Sequence, residues 1–354
     1  MFITAEYIWL DGQKPTQTLR SKTRVIPSAD GARPDVSDLP IWSFDGSSTY
    51  QASGSDSDLL LEPVAVVDDP IRGAGHFLVM TEVLNPDGTP HATNQRARLA
   101  QAMDAGAAEQ DPWIGFEQEY TLFDGQRPLG WPEGGYPAPQ GPFYCGVGNG
   151  RVFGRELVEA HGKACLDAGL MLYGINAEVM PGQWEFQIGY RGIDGESADP
   201  LTVSDHLWIA RWLMQRLGES AGIRVSFENK PVKGDWNGAG AHTNFSTSAM
   251  REAGGVAAIE DAIARLGNRH GEHIEAYGAG LNERLTGLHE TCSIDEFKGG
   301  VADRGASIRI PRHVAEKGSG YLEDRRPGAN CDPYLVSRML LETVCQPSLE
   351  AHFA

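Results

Sequence analysis

An α+β fold in two unequal parts is what this 354-residue sequence predicts, and three observations predict it. Strand-like runs with turn punctuation fill residues 1 to 92, with no helix of convincing length. Asn85-Pro86-Asp87-Gly88-Thr89-Pro90 then gives the strongest boundary signal in the chain. Beyond it, helical and extended patterns alternate. The expectation is a small β-rich domain over 1–92 and a larger mixed domain over 93–354.

In the first part, Phe2 to Leu10 reads as a strand that ends at Asp11-Gly12, a hairpin signal, and Thr18 to Ile26 follows as its partner. His76 to Leu84 is a further strand. Between them, Trp42-Ser43-Phe44-Asp45-Gly46-Ser47-Ser48-Thr49-Tyr50 groups small hydroxyls around one aspartate, the composition of an Asx or Ser turn. In the second part, residues 94–109 are helical in pattern and 114–122 extended. The Gly/Pro-rich stretch from Asp124 to Gly150 is too long for a simple connector and reads as a functional loop. Helices are expected over 152–168, over 204–217 with Ser204 and Asp205 as cap candidates, near 255–276, and over 333–346.

Composition narrows the function. A formal net charge of -18 argues against nucleic acid or an anionic membrane as the main partner. Five cysteines, odd in number and without a CxxC pair, fit reduced thiols in a cytoplasm. The N-terminus lacks a basic, then apolar, leader pattern. There is no P-loop motif, and Gly146-Val147-Gly148-Asn149-Gly150 is not a dinucleotide fingerprint.

Four stretches carry candidate chemistry. In Ile114 to Leu122, alternation puts Glu117 and Glu119 on one face and Phe116, Gln118 and Tyr120 on the other. Two carboxylates among aromatics call for a cation between them, and hard divalent ions take oxygen ligands. The plain alternative is an exposed strand with an acidic outer face. In Asn176 to Gln187, a Pro181-Gly182 turn would bring Glu178 and Glu185 together across a hairpin. In Asp235 to Ser246, glycines allow close backbone approach to a ligand, and His242 becomes a candidate metal ligand beside the four glutamates. Arg284, Arg304, Arg309 and Arg325, in an acidic protein, read as phosphate or carboxylate clamps, with structural ion pairing as the alternative. His270 and His273, with Glu272 and Glu275, read as a solvated helix face.

The motifs Phe44-Asp45-Gly46-Ser47-Ser48, Phe116-Glu117-Gln118-Glu119-Tyr120, Asn176-Ala177-Glu178-Val179-Met180-Pro181, Gln183-Trp184-Glu185-Phe186-Gln187, Asn237 to Ser246 and Arg304 to Pro311 occur in an order that resembles glutamine synthetases of the type II class. The likeness runs from Ala5 to Pro327. It implies an N-terminal β-grasp domain and a catalytic domain with a curved antiparallel sheet flanked by helices. It implies a ligase that forms glutamine from glutamate and ammonia, with ATP as co-substrate and two or three Mg2+ or Mn2+ ions per site. By motif position, Glu119, Glu178 and Glu185 would hold one metal, and Glu117, His242 and Glu323 the other. Arg284, Arg304 and Arg325, with Asn237 and Gly238, would bind glutamate and the transferred phosphate. Arg309 and Ser246 would lie by the nucleotide, and Trp113 near its base. Asp45 and Ser48, from an adjacent subunit of a stacked-ring decamer, would form an ammonium pocket with Tyr144. Glu290 would close over the intermediate. Asp45, Glu290 and Arg304 would be the catalytic groups.

Three stretches depart from that pattern: Glu228-Asn229-Lys230-Pro231, Asp303 before Arg304, and a long connector from Tyr190 to Pro200. They keep two other readings open, a related ligase with a different amine or acid, and a catalytically silent scaffold or sensor.

Overall fold

The computed structural model describes residues 1–345. The first strands form a five-stranded sheet: β1 (Phe2–Leu10), β2 (Leu19–Pro27), β3 (Trp42–Asp45), β4 (Asp58–Asp68) and β5 (His76–Leu84), in the order β2-β1-β5-β4-β3. All neighbours are antiparallel except β1 and β5. The strand pairing expected at Asp11-Gly12 is the β1–β2 pair, in register from Phe2–Pro27 to Leu10–Leu19. Over 42–50, Trp42–Asp45 form strand β3, and the expected Asx turn follows at its end, where Asp45 accepts from the Ser47 N–H at 3.0 Å and opens a 3-10 turn over Gly46–Thr49.

The two faces of this sheet have different destinations. Tyr7, Trp9, Phe44, Leu61 and Val79 pack into a small cluster of their own. Ile8, Leu10, Leu78 and Met80, on the alternate positions, join the main core of the chain. The first sheet is therefore seated on the second part by shared apolar burial, worth about 2 kcal/mol for each large side chain withdrawn from water.

The second part runs α1 (Gln95–Asp104), β6 (Trp113–Asp124), β7 (Arg127–Pro128), α2 (Arg155–Asp167), β8 (Leu172–Ala177), β9 (Gln183–Gly189), α3 (Pro200–Ala221), β10 (Arg224–Ser226), β11 (Ala241–Ser246), α4 (Ser248–Arg251), α5 (Val256–Asn268), α6 (His270–Ala276), α7 (Leu281–Arg284), β12 (Gly299–Val301), β13 (Ile308–Ile310), α8 (Arg312–Lys317), β14 (Leu322–Asp324) and α9 (Pro333–Val344). Its strands follow the order β12-β13-β14-β11-β6-β9-β8, with β7 and β10 also paired to β6. All of these pairings are antiparallel except β12 with β13. Strand β6 lies at the centre. Its buried Phe116, Tyr120 and Leu122 face the core with Leu207, Leu213 and Met214 of α3.

Two helix expectations change. Helix α3 starts at Pro200, because Asp199 accepts from the Leu201 and Thr202 N–H groups. Asp205 is released from a capping role and instead receives a two-point ion pair from Arg96 at 2.9 Å, with the Tyr334 hydroxyl donating to it. The expected helix near 255–276 breaks at Arg269 into α5 and α6. The group expected to be solvated is divided: Glu272 and Glu275 are exposed, but the histidines are covered, because α6 packs on α9. His273 is fully buried, with Nδ1 at 2.5 Å from the Tyr277 hydroxyl and Nε2 at 2.8 Å from that of Thr343. His270 is half-buried and bridges the Ile294 carbonyl and Arg326.

Candidate active site

Antiparallel register decides which side chains meet. On β6, Glu117 is paired directly with His242 of β11, and Glu119 with Glu185 of β9. Asn244 of β11 and Arg309 of β13 are both paired with Glu323 of β14. Glu178 follows β8 at the turn and hydrogen bonds through its backbone to Gln183. The result is two trios, Glu117–His242–Glu323 and Glu119–Glu178–Glu185, each offering ligand atoms within 4.8 Å of one another. Five of the six side chains line one cavity of about 710 Å³, and the sixth, Glu323, is buried behind its wall in contact with Arg309 and Arg325, which also line it.

The trios differ in electrostatics. Glu323 is fully buried between two guanidinium groups, with Arg325 at 2.7 Å and Arg309 in direct contact. His242 Nδ1 lies 3.6 Å from Glu117 and 3.5 Å from Glu323. Burial, then Arg325, pushes this imidazole well below its ordinary value, so it is neutral. Among the described residues, no cation forms an ion pair with the second trio. Burial and then Glu119 push Glu178 up to about 8, and burial and then Glu117 push Glu185 well above the usual range. Burial also raises Glu119, against the pull of Arg284. Three buried carboxylates that resist ionisation together are a donor set suited to a hard divalent cation.

Around them, Asn237, Gly238, Tyr144, Arg284, Arg304 and Glu290 also line the cavity. Arg284 is buried, held by the carbonyls of Arg325 and Arg326 at 3.2 Å, and burial lowers it to about 10. Its path explains two glycines. A Cβ at Gly240 would lie 2.3 Å from its Nη2, and one at Gly238 would lie 2.7 Å from its Cγ. Trp113 and Ser246 stand apart, in an adjoining cleft of about 350 Å³. Tyr173 borders both spaces.

Asp45 and Ser48 do not line this chain's cavity. They sit exposed at the end of the first sheet, where the Ser47 and Ser48 hydroxyls, each at 2.6 Å, hold the Asp45 carboxyl down at about 2. It is an ionised, outward-facing carboxylate.

Two of the sequence departures are absorbed locally. Asp303 is paired with Lys298 and accepts from the Gly305 N–H at 2.9 Å, so its charge is balanced locally. Asn229 is buried and ties its loop to Ala279. The long connector places Tyr190 against Trp113, with ring centroids 4.5 Å apart, while the Arg251 guanidinium covers Trp113 at 4.1 Å. Tyr190, Arg251, Tyr173, Gln140 and His289 were not foreseen, because each reaches its place through a loop or a remote element without any local pattern.

The chain matches the family described as "Glutamine synthetase, beta-Grasp domain" over residues 2–86 and "Glutamine synthetase, catalytic domain" over 92–288. It belongs to the glutamine synthetase family. Among its relatives are a glutamine synthetase of Agaricus bisporus, 55% identical over 342 residues, covering 96% of this chain and 93% of the relative. A chloroplastic glutamine synthetase of Chlamydomonas reinhardtii is 56% identical over 352 residues, covering 97% and 90%. One of Streptomyces viridochromogenes is 56% identical over 347 residues, covering 98% and 97%. The fungal, algal and Streptomyces relatives are consistent with the type II class, and the two sheets are the β-grasp and catalytic parts of that α+β fold.

Proposed function

We propose that the chain is an ATP-dependent ligase that forms L-glutamine from L-glutamate and ammonia through a γ-glutamyl phosphate. The observation that carries this reading is the pair of trios, joined through strand β6, at a cavity that Arg284, Arg304, Arg309 and Arg325 also line. Identity of 55–56% to glutamine synthetases over nearly the whole chain favours this acid and amine over a different pair or a silent scaffold.

A carboxylate is a poor electrophile, so its oxygen first attacks the γ-phosphorus of ATP and the bond to ADP breaks. Ammonia then attacks the acyl carbon, phosphate leaves, and a proton passes from nitrogen to a carboxylate. The two trios would hold divalent ions, Mg2+ or Mn2+, which when bound would supply charge neutralisation for the phosphates. Arg284 orients glutamate together with Asn237 and Gly238. Arg304 and Arg325 stabilise the transferring phosphoryl group, and Arg309 a nucleotide phosphate. Trp113 and Ser246 flank the base. Glu290 closes the site and accepts the proton.

The exposed, ionised Asp45 with Ser48 supports a shared site. In a stacked-ring homo-oligomer, of which a decamer is our proposal, they meet the Tyr144 of a neighbour and bind ammonium. Domain limits at 1–92 and 93–354 and a cytoplasmic setting complete the reading, the latter supported by five unpaired cysteines. The test is phosphate release with ATP, Mg2+, glutamate and ammonium. Absence of glutamate-dependent turnover in folded, metal-loaded protein defeats it.

A further inference from the structure

The segment Thr286–Thr291, which carries Glu290 over the cavity, is held in a costly backbone shape. His289 and Glu290 are consecutive non-glycine residues at φ 52° and 58°. Each left-handed residue costs on the order of 1 kcal/mol, and such strain persists only where the surroundings impose it. Apolar packing does not impose it here, since Leu288 is 63% exposed. Hydrogen bonds do. At the base of the segment the Thr291 hydroxyl donates to the Leu288 carbonyl at 2.7 Å, and Arg325 donates to the Glu290 carbonyl at 3.2 Å.

At its tip, His289 reaches across to two other loops. Nε2 lies 2.8 Å from Asp235 Oδ1, and Nδ1 lies 2.9 Å from Gln140 Nε2. The direction of these bonds follows from one further contact. The Asn237 N–H donates to Gln140 Oε1 at 2.8 Å, which fixes the amide so that its nitrogen faces His289. That nitrogen can only donate, so His289 Nδ1 accepts and Nε2 carries the proton toward Asp235. The chain Asn237–Gln140–His289–Asp235 thus runs in one sense through the 124–150 loop, the 232–238 loop and the flap.

We propose that His289 is a positioning residue of the synthetase reaction, the clasp that holds the 286–291 flap shut so that water does not reach the acyl phosphate. The proposal rests on the glutamine-forming reading above. The alternative fate of the intermediate balances simply: water adds to the acyl group, phosphate leaves, and glutamate is regenerated, so ATP is hydrolysed without amide formation. The clasp also holds Asn237 in the cavity wall, because the same Gln140 receives its backbone N–H.

The experiment uses the full-length, Mg2+-loaded enzyme with ATP, glutamate and limiting ammonium, and measures phosphate and glutamine in parallel. Wild-type protein should give close to one phosphate per glutamine. His289→Ala should at least roughly double that ratio and raise the KM for ammonium, with kcat at saturating ammonium changed far less. Asp235→Ala should do the same, the double variant should be no worse than either single, and Asp235→Asn, which keeps the acceptor oxygen, should restore coupling. A folded His289→Ala enzyme with unchanged stoichiometry and KM overturns the clasp, as does additivity in the double variant. Hydrogen exchange over residues 286–291 reads the clasp without turnover. Faster exchange in His289→Ala is expected, and unchanged exchange overturns the clasp whether or not the wild-type protein makes glutamine.

Discussion

Replacing Glu178 with Gln should have opposite effects on stability with and without divalent metal. In the metal-free chain the Glu178 carboxyl sits at about 8, against an ordinary value of 4.5. The folded state therefore binds a proton that the unfolded state releases, over the window from 4.5 to about 8. Stability is retained below 4.5 and falls as pH rises through that window. The difference of about 3.5 units corresponds to roughly 5 kcal/mol at pH 8 and above. A second route gives the same order: carboxylates within 4.8 Å repel by at least about 3 kcal/mol per pair at an effective dielectric near 20. Glutamine removes the charge but keeps the shape. It forfeits one of the bonds that Glu178 accepts from Asn176 at 2.9 Å and Val179 at 3.2 Å, a loss of about 1 kcal/mol. Metal-free Glu178→Gln should then be more stable than wild type by about 3–4 kcal/mol at pH 8, and by far less at pH 5. With saturating Mg2+ the order should reverse, because the variant gains less from the ion. Urea unfolding in chelator and in Mg2+, at both pH values, measures all four quantities. A metal-free variant that is less stable than wild type at pH 8 would refute the account of this trio as a frustrated carboxylate cluster.

Glu323→Gln should behave the other way. It leaves Arg309 and Arg325 without their carboxylate, and the chelated protein should lose about 3–5 kcal/mol in the same urea assay. Gly240→Ala drives a Cβ into the Arg284 guanidinium, so glutamate-dependent kcat/KM, followed by phosphate release, should fall on the order of 100-fold while the far-UV circular dichroism is kept. His161 is fully buried, and burial pushes it down to about 4. A histidine held neutral supports the fold above its unfolded value near 6.5 and loses that support as pH falls toward 4. Lowering the pH from 7 to 5 should therefore cost wild type about 2 kcal/mol more than His161→Leu, as read from urea midpoints.

Much of the site could be read from local pattern. Alternation along Ile114 to Leu122 assigns Glu117 and Glu119 to one face, and the Pro181-Gly182 turn brings Glu178 and Glu185 within reach, since both facts depend only on strand geometry. The order of strands around β6 could not be read this way. It depends on which distant segments pair, and the family resemblance, rather than residue periodicity, pointed to Glu323 as the partner of His242. The errors share a cause. Asp205 has the composition of a cap, yet a closer cap at Asp199 and a distant Arg96 claim the two residues differently. His273 looks solvated by its charged neighbours, but α9, coming 60 residues later, covers it. Gln140 lies in a loop whose sequence carries no period, so only its contacts reveal that it links the flap to Asn237.

Strand β6 gives Glu117 to one trio and Glu119 to the other, two residues apart on one extended backbone. The pleat repeat there is about 6.6–6.8 Å, a length that no rotamer change can alter. Backbone pitch thus acts as the ruler that spaces the two cation cages. Inserting or deleting a single residue between them would turn one glutamate toward the core and abolish the pair, whereas a neighbouring side chain can be exchanged without disturbing the gauge.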